Sequence, residues 1–426
     1  MQSAAGVSTL LDSMPENRKL FWRYLFLMML NEAFASQHVM EAHDWPPEER
    51  PTLAVRDHLT ESKELHLAKE RLLNTGRMMA DGHVNIPSNR PCPCRNQSWC
   101  DIVCTVPKHE IFIFSVHNTN WPRYDWRHIT TLVMYSYFDD DAMCFAHSKG
   151  IRVVHGGETA GSVQKVHKVD FPKKYLTNET ARHLWVTSTI KTMTYNFLGG
   201  VNVDFEEGIS DKEAPERHGL TLLVKELNEA AKRVSPYTQI TFDFACTPDV
   251  GYRRYDYKGI VDVIDFAFVM DYEEEGGKYA HANSLFDRNK HGMGRFIELG
   301  IPTNKLILGG PWYGYWYHCG EYNPTSHQCL TKAFGQINYS QIIKVKDQYS
   351  FTGRLWDPVT KSPFFTARDP ITRGIYQIWY DDPERLTIKF KLLPSLRLRG
   401  AGNWQADALN YSDPKQVKDM WDAFPY

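Results

Sequence analysis

Long hydrophobic runs are missing from this 426-residue sequence. The longest, YLFLMML at 24–30, falls far short of the ~20 residues that cross a bilayer, so no membrane anchor is expected. An excess of one charge is missing as well: 49 basic against 51 acidic residues leave −2, which offers no electrostatic footprint to nucleic acid or an anionic membrane surface. No glycine-rich phosphate turn follows the first predicted strand, where HNTNWPRYDW stands at 117–126, and a doubly wound nucleotide-binding sheet is disfavoured accordingly. Metal-ligand spacing is wanting too. Cys92, Cys94, Cys100 and Cys104 crowd into PCPCRNQSWCDIVC without a second CxxC or an HxxxH, and His147 and His155 lack ligand spacing, so neither a metal nor a cofactor is expected.

Eight cysteines suit an oxidising compartment, in which the crowded four read as disulfide partners, while Cys319 and Cys329 bracket a ten-residue step in a loop. Lys19 and Arg23 precede the apolar run, and Ala33 and Ala35 set a small-residue cleavage pattern before Ser36, so residues 1–35 read as a secretory signal. Sequons at Asn96, Asn178, Asn338 and Asn410 agree with secretion. Residues 36–88 form a charged extension to which no role is assigned, with Leu65, Ala68, Leu72 and Leu73 at helical spacing. Aromatic residues make up 13% of the chain, enough for a large core or for flat rings that stack on sugars; composition does not choose between them.

From 109 onward short β-rich runs alternate with helical stretches. The predicted strands are 110–117, 129–137, 151–158, 200–207, 239–246, 263–273, 305–315 and 400–407; helices are predicted over 180–197, 215–234, 286–300 and 383–398, and in PKQVKDMWDAF near the end. Eight alternating units over about 320 residues fit a (β/α)8 TIM barrel, placed here at 89–426. The gap at 316–382 is too long for a plain loop, so an insertion is expected near the seventh strand.

Within that frame GGVNVDFEEG, residues 199–208, carries a polar residue at every second position. Alternate residues of a strand share a face, so Asn202, Asp204 and Glu206 point together. On a half-exposed antiparallel strand this would be ordinary. Barrel strands are covered on both faces, an unpaired buried carboxylate is costly, and the tolerable place is the C-terminal mouth, where barrel active sites are built. Other strands also end in polar or aromatic groups: Asp243, then Met270 to Glu273, then Trp312 and Tyr313, then Trp404. Carboxylates beside phenol and indole rings suit sugar cleavage, which needs an acid for the leaving oxygen and flat rings under the pyranose.

Those residues resemble glycoside hydrolase family 18, the chitinase-like barrels. VNVDFE with its upstream glycines is similar to the family's DGxDxDxE signature, with Asn202 in the middle acidic position as in the di-N-acetylchitobiase branch. CPC, YDW (124–126), MCFAHSKG (143–150), FVMDYEE (268–274), PWYGY (311–315), QIWYDDP (377–383) and RLRGAGNW (397–404) extend the likeness over about 91–426. The resemblance implies Glu206 as general acid and base, Asp204 as the carboxylate orienting the substrate's acetamide, Tyr272 as a donor to that acetamide and Trp404 as the floor under the sugar. Catalysis would be substrate-assisted and retaining, with the acetamide oxygen attacking the anomeric carbon. Asn202 and Asp243 are expected at the substrate, Trp312 and Tyr313 beside the leaving sugar, and Tyr380 with Asp381 closing over it; Asp271 is expected to be structural. A glutamate near Asp204 and a desolvating ring is expected to hold its proton readily. Gly199 replaces the signature's first acid, and Glu273 stands where the branch has Asp.

The expected activity is removal of β-1,4-linked N-acetylglucosamine from the reducing end of the chitobiose core of Asn-linked glycans, by a monomer in the lysosome or secreted. The alternatives are a lectin-like glycan binder and an endo-acting chitinase. The expected partner is an N-acetylglucosamine-containing oligosaccharide.

Overall fold

The computed structural model describes residues 83–84, 88–157, 171–273 and 277–425. The signal-like segment and the 65–73 helical pattern lie outside the described residues. Runs rich in β-branched and aromatic residues become strands β1 (Glu110–Ser115), β2 (Thr131–Tyr135), β3 (Arg152–Gly156), β4 (Gly200–Val203), β5 (Gln239–Ala245), β6 (Phe266–Met270) and β7 (Leu306–Pro311). An inserted sheet follows: β8 (Tyr313–Tyr322), β9 (Cys329–Asn338), β10 (Leu355–Asp357), β11 (Ser362–Arg368) and β12 (Ile375–Tyr380). The last strand is β13 (Gly400–Trp404). β1 to β7 and β13 close into an eight-stranded parallel barrel, in which Gly400 of β13 pairs with Glu110 on one side and Ile307 on the other.

Helices α1 (Asp140–Ser148), α2 (Glu179–Tyr195), α3 (Ala214–Val234), α4 (Tyr257–Val263) and α5 (Phe286–Glu298) connect the barrel strands, α6 (Tyr339–Tyr349) packs on the insertion, and α7 (Pro383–Phe390), α8 (Leu392–Leu396) and α9 (Pro414–Trp421) flank β13 along the chain. Neither α1 nor α4 is predicted from the sequence. At 9 and 7 residues they hold about two turns each, too few for a helical period to stand out. Local chemistry starts them all the same: Asp139 and Asp256 each accept a backbone N–H at the helix N-terminus, a cap that contributes about 1 kcal/mol. No described helix is long and apolar enough to cross a membrane.

Strand alternation divides the core into two shells. Ile111, Ile113, Leu132, Val201, Val203, Ile240 and Leu308 face outward into one cluster with α3 residues such as Leu220 and Leu227. Phe112, Phe114, Val133, Val154, Phe266, Phe268 and Ile307 fill the barrel interior. Each buried phenylalanine stabilises the fold by about 1.5–3 kcal/mol. Gly402 makes room for these rings, since a Cβ there would lie 2.8 Å from the Phe268 ring and 2.2 Å from the Phe112 carbonyl oxygen.

The insertion is a five-stranded antiparallel sheet in the order β9-β8-β12-β11-β10. The sequence reading takes 305–315 as one strand; the structure breaks it at Trp312, the single residue between β7 and β8. Cys319–Cys329 staples the β8–β9 hairpin. In the N-terminal cluster Cys92 bridges Cys100, while Cys94 reaches 50 residues on to Cys144 of α1.

Candidate active site

The face singled out in GGVNVDFEEG rises out of the barrel one step at a time. Asn202 is 0% exposed, Asp204 beyond the strand end is half-buried, and the Glu206 side chain is 49% exposed at the rim. Asp204 Oδ2 accepts from the Tyr135 hydroxyl at 2.8 Å, and the Arg253 guanidinium donates to Glu206. From β5 comes Asp243, 2% exposed, whose Oδ2 accepts from Asn202 Nδ2 at 2.7 Å. Tyr272 follows β6 and is buried except for its edge on the cavity. Trp404 ends β13 and packs in T-shaped contacts with Tyr135 at 4.9 Å and Phe114 at 5.3 Å between ring centres. Asp204, Glu206, Asp243, Tyr272 and Trp404 all line one cavity of about 700 Å³ at the C-terminal ends of the strands.

Electrostatics sort these groups. Burial, then the charges of Asp243 and Glu273, push the Tyr272 phenol well up, so it remains a donor. Burial, then the Asp204 charge, push the Asp243 carboxyl well above the usual carboxylate range, and the Asn202 hydrogen bond opposes them only in part. Glu273 enters the wall from a left-handed backbone position (φ +58°); its Oε1 accepts from the Tyr313 hydroxyl at 2.7 Å and from Gln336 Nε2 of β9.

Four positions lie elsewhere than the sequence predicts: Trp312, Tyr313, Tyr380 and Asn202. Trp312 is 0% exposed and packs on the outer helix α9, 5.0 Å from the Trp421 ring and 6.0 Å from that of Phe424. Successive residues of an extended chain face opposite ways, so Tyr313 takes the inner side and reaches Tyr272 at 5.8 Å; it stands behind the cavity wall. Tyr380 is buried in the insertion between Tyr339 and Phe365 and does not close over the cavity. Asn202 stops short of the cavity because both ends of its amide are engaged, Oδ1 accepting from Thr241 at 2.6 Å. Asp271 is structural, paired with Lys389 at 3.4 Å. Gly199 precedes β4 at the opposite end of the barrel, seven residues and roughly 23 Å of extended chain from Glu206, so no side chain there would touch the mouth. Replacing Trp312 by Phe should lower unfolding stability by about 1–3 kcal/mol and leave KM unchanged, which denaturant titration and steady-state kinetics would check.

The structure also adds residues that the sequence reading passes over. Tyr135 has the inward parity of Val133 and could have been found by the rule that found Asp204. Arg253 and Gln336 could not, because a loop and a distant hairpin carry no periodic signal.

Carboxylates and rings gathered at the C-terminal mouth of a parallel barrel define a sugar-cleaving enzyme class. The chain belongs to that class by descent: the model of glycosyl hydrolases family 18 matches residues 118–408. Within the family it is 33% identical to di-N-acetylchitobiase of Mus musculus over 352 residues, 78% of this chain and 92% of that protein. It is 32% identical to di-N-acetylchitobiase of Homo sapiens over 359 residues, covering 80% and 89%. Among solved structures, class V chitinase from Nicotiana tobaccum superposes with a TM-score of 0.62 at 14% identity, covering 75% of this chain and 99% of that one. A family 18 chitinase from Cycas revoluta gives 0.60 at 16%, covering 74% and 99%. These two share the barrel fold.

Proposed function

We propose that the chain hydrolyses the β-1,4 bond between the N-acetylglucosamine units of the chitobiose core of Asn-linked glycans, acting from the reducing end with retention. The observation that carries this reading is the meeting of Glu206, Asp204, Tyr272 and Trp404 in one cavity. Trp404, fixed by its packing on Tyr135 and Phe114 and lining the cavity, is the ring that serves as the sugar's floor. Asp204, fixed by Tyr135, orients the substrate's acetamide nitrogen, while the neutral Tyr272 phenol donates to the acetamide oxygen. That oxygen attacks the anomeric carbon as Glu206 protonates the departing sugar; water activated by Glu206 then opens the oxazolinium, and configuration is retained. Glu206 must first give up the Arg253 guanidinium that now donates to it.

The same contact favours a second reading, a glycan binder in which Arg253 keeps the acid from acting. In the hydrolase reading the enzyme works as a monomer in the lysosome; its passage through an oxidising secretory compartment is supported by its three disulfides and the exposed sequon residues Asn96, Asn178 and Asn410. Chitobiose and chitotetraose carrying carbon-13 at the reducing-end C1 would test the proposal. Labelled monosaccharide should appear first. Labelled disaccharide from the tetramer would point to endo cleavage, and binding without products would establish the glycan binder.

A further inference from the structure

The two acids of neighbouring strands are set side by side by register. Val203 of β4 pairs with Phe242 of β5, so the next residues along, Asp204 and Asp243, stand at one level on adjacent parallel strands, whose spacing is about 4.8 Å. Asp243 is the deeper of the two. Its Oδ2 is occupied by Asn202 Nδ2, and its Oδ1 is buried with no hydrogen-bond partner among the described residues. Asn202 Oδ1 accepts from the Thr241 hydroxyl and its NH2 is turned toward Asp243.

The other groups facing Asp243 are poor at neutralising it. β4 contributes Asp204 and Glu206, the segment after β6 contributes the Tyr272 phenol, and Arg253 on the neighbouring wall is taken by Glu206. Of two carboxyls this close, one buried and one half-buried, the proton stays where solvation is poorest, on Asp243. Burial and the Asp204 charge act on Asp243 in that direction. An ionised Asp243 would leave a bare buried oxygen beside a second anion, whereas a protonated Oδ1 turns the same atom into a donor.

We propose that Asp243 is a positioning residue: it remains a neutral carboxylic acid at neutral pH and its Oδ1 hydroxyl donates to Asp204, holding that carboxylate in place and leaving one negative charge on the pair. The catalytic consequence rests on the hydrolase reading above, whereas the protonation state does not.

Infrared difference spectroscopy separates the two. Wild type minus Asp243→Asn at pH 7 should show the carbonyl stretch of a protonated carboxylic acid; its absence would overturn the proposal whether or not the protein is active. On di-N-acetylchitobiose, Asp243→Asn keeps a donor toward Asp204 but has no proton to lose, so the alkaline limb of the kcat profile should move upward or vanish. Asp243→Ala loses the donor, and kcat should fall about 10- to 100-fold with a smaller change in KM. A residue that merely supports the fold would lower the folded fraction without displacing the pH profile, so superimposable profiles for wild type and Asp243→Asn would also overturn the proposed role. A wild type that cleaves nothing would count against the hydrolase reading alone, and the infrared band would still decide the state of Asp243.

Discussion

Glu206→Gln should reduce hydrolysis of di-N-acetylchitobiose by about 10²- to 10⁴-fold while the disaccharide still binds, because the amide fills the same space and cannot supply a proton. Binding is measurable by calorimetry, or through the fluorescence of Trp404 on the cavity wall. The fold should barely notice the change. Glu206 is half exposed, and ion pairs in such settings contribute about 1 kcal/mol or less, so losing the Arg253 contact moves stability little. Two other carboxyl groups at the cavity rim are already occupied: Glu273 holds Tyr313 and Gln336, and Asp249 holds Arg295 at 2.7 Å. A Glu206→Gln variant with wild-type turnover would therefore move the acid off β4 and remove the basis of the mechanism.

Lys389→Met should cost roughly 3–5 kcal/mol of unfolding free energy, the penalty for leaving the partner of a buried pair without its cation. Lys389 and Asp271 are both 0% exposed at the side chain, 3.4 Å apart, and the ammonium also donates to Ser284 Oγ at 2.9 Å and to the Asp271 carbonyl. Burial raises the Asp271 carboxyl above its ordinary value, and Lys389 is the main group opposing that rise. A carboxyl whose value is raised in the folded state stabilises the fold while it is protonated, at acid pH, and that contribution is lost as pH climbs through the folded-state value. Removing Lys389 raises that value further. The variant should therefore be least stable toward neutral and alkaline pH and recover toward acid, as urea titrations across pH would show. Lys389→Met with Asp271→Asn should regain much of the loss; no recovery would mean that the stability comes from the Ser284 contact instead.

Much of this architecture was readable in the chain because parity does two jobs at once. The alternation that buries Val201, Val203 and Phe205 among the helices turns Asn202, Asp204 and Glu206 inward, and the same count on β5 and β6 delivers Asp243 and Tyr272. Trp312 and Tyr313 show the limit. Both belong to one aromatic run, yet parity counted from inward-facing Ile307 turns Trp312 out to helix α9, while Tyr313, though inward, backs the cavity without lining it. Tyr380 lies elsewhere than its motif suggests because a strand of the inserted antiparallel sheet has its own inside, here facing Tyr339 and Phe365. Arg253 reaches Glu206 from a loop whose path depends on what it packs against, including the Tyr255 hydroxyl tied to the Phe205 and Glu207 carbonyls.

The junction at Trp312 ties two walls of the cavity together. Its backbone N–H donates to the Trp404 carbonyl at 2.7 Å, its carbonyl accepts from Tyr339 N of α6, and the next residue opens the hairpin that brings Gln336 over Glu273. Roof and floor thus hang from one residue. A hairpin grafted from another family member, to change the length of glycan accepted, would drag the floor indole with it unless the partners of residues 312 and 404 were transplanted too.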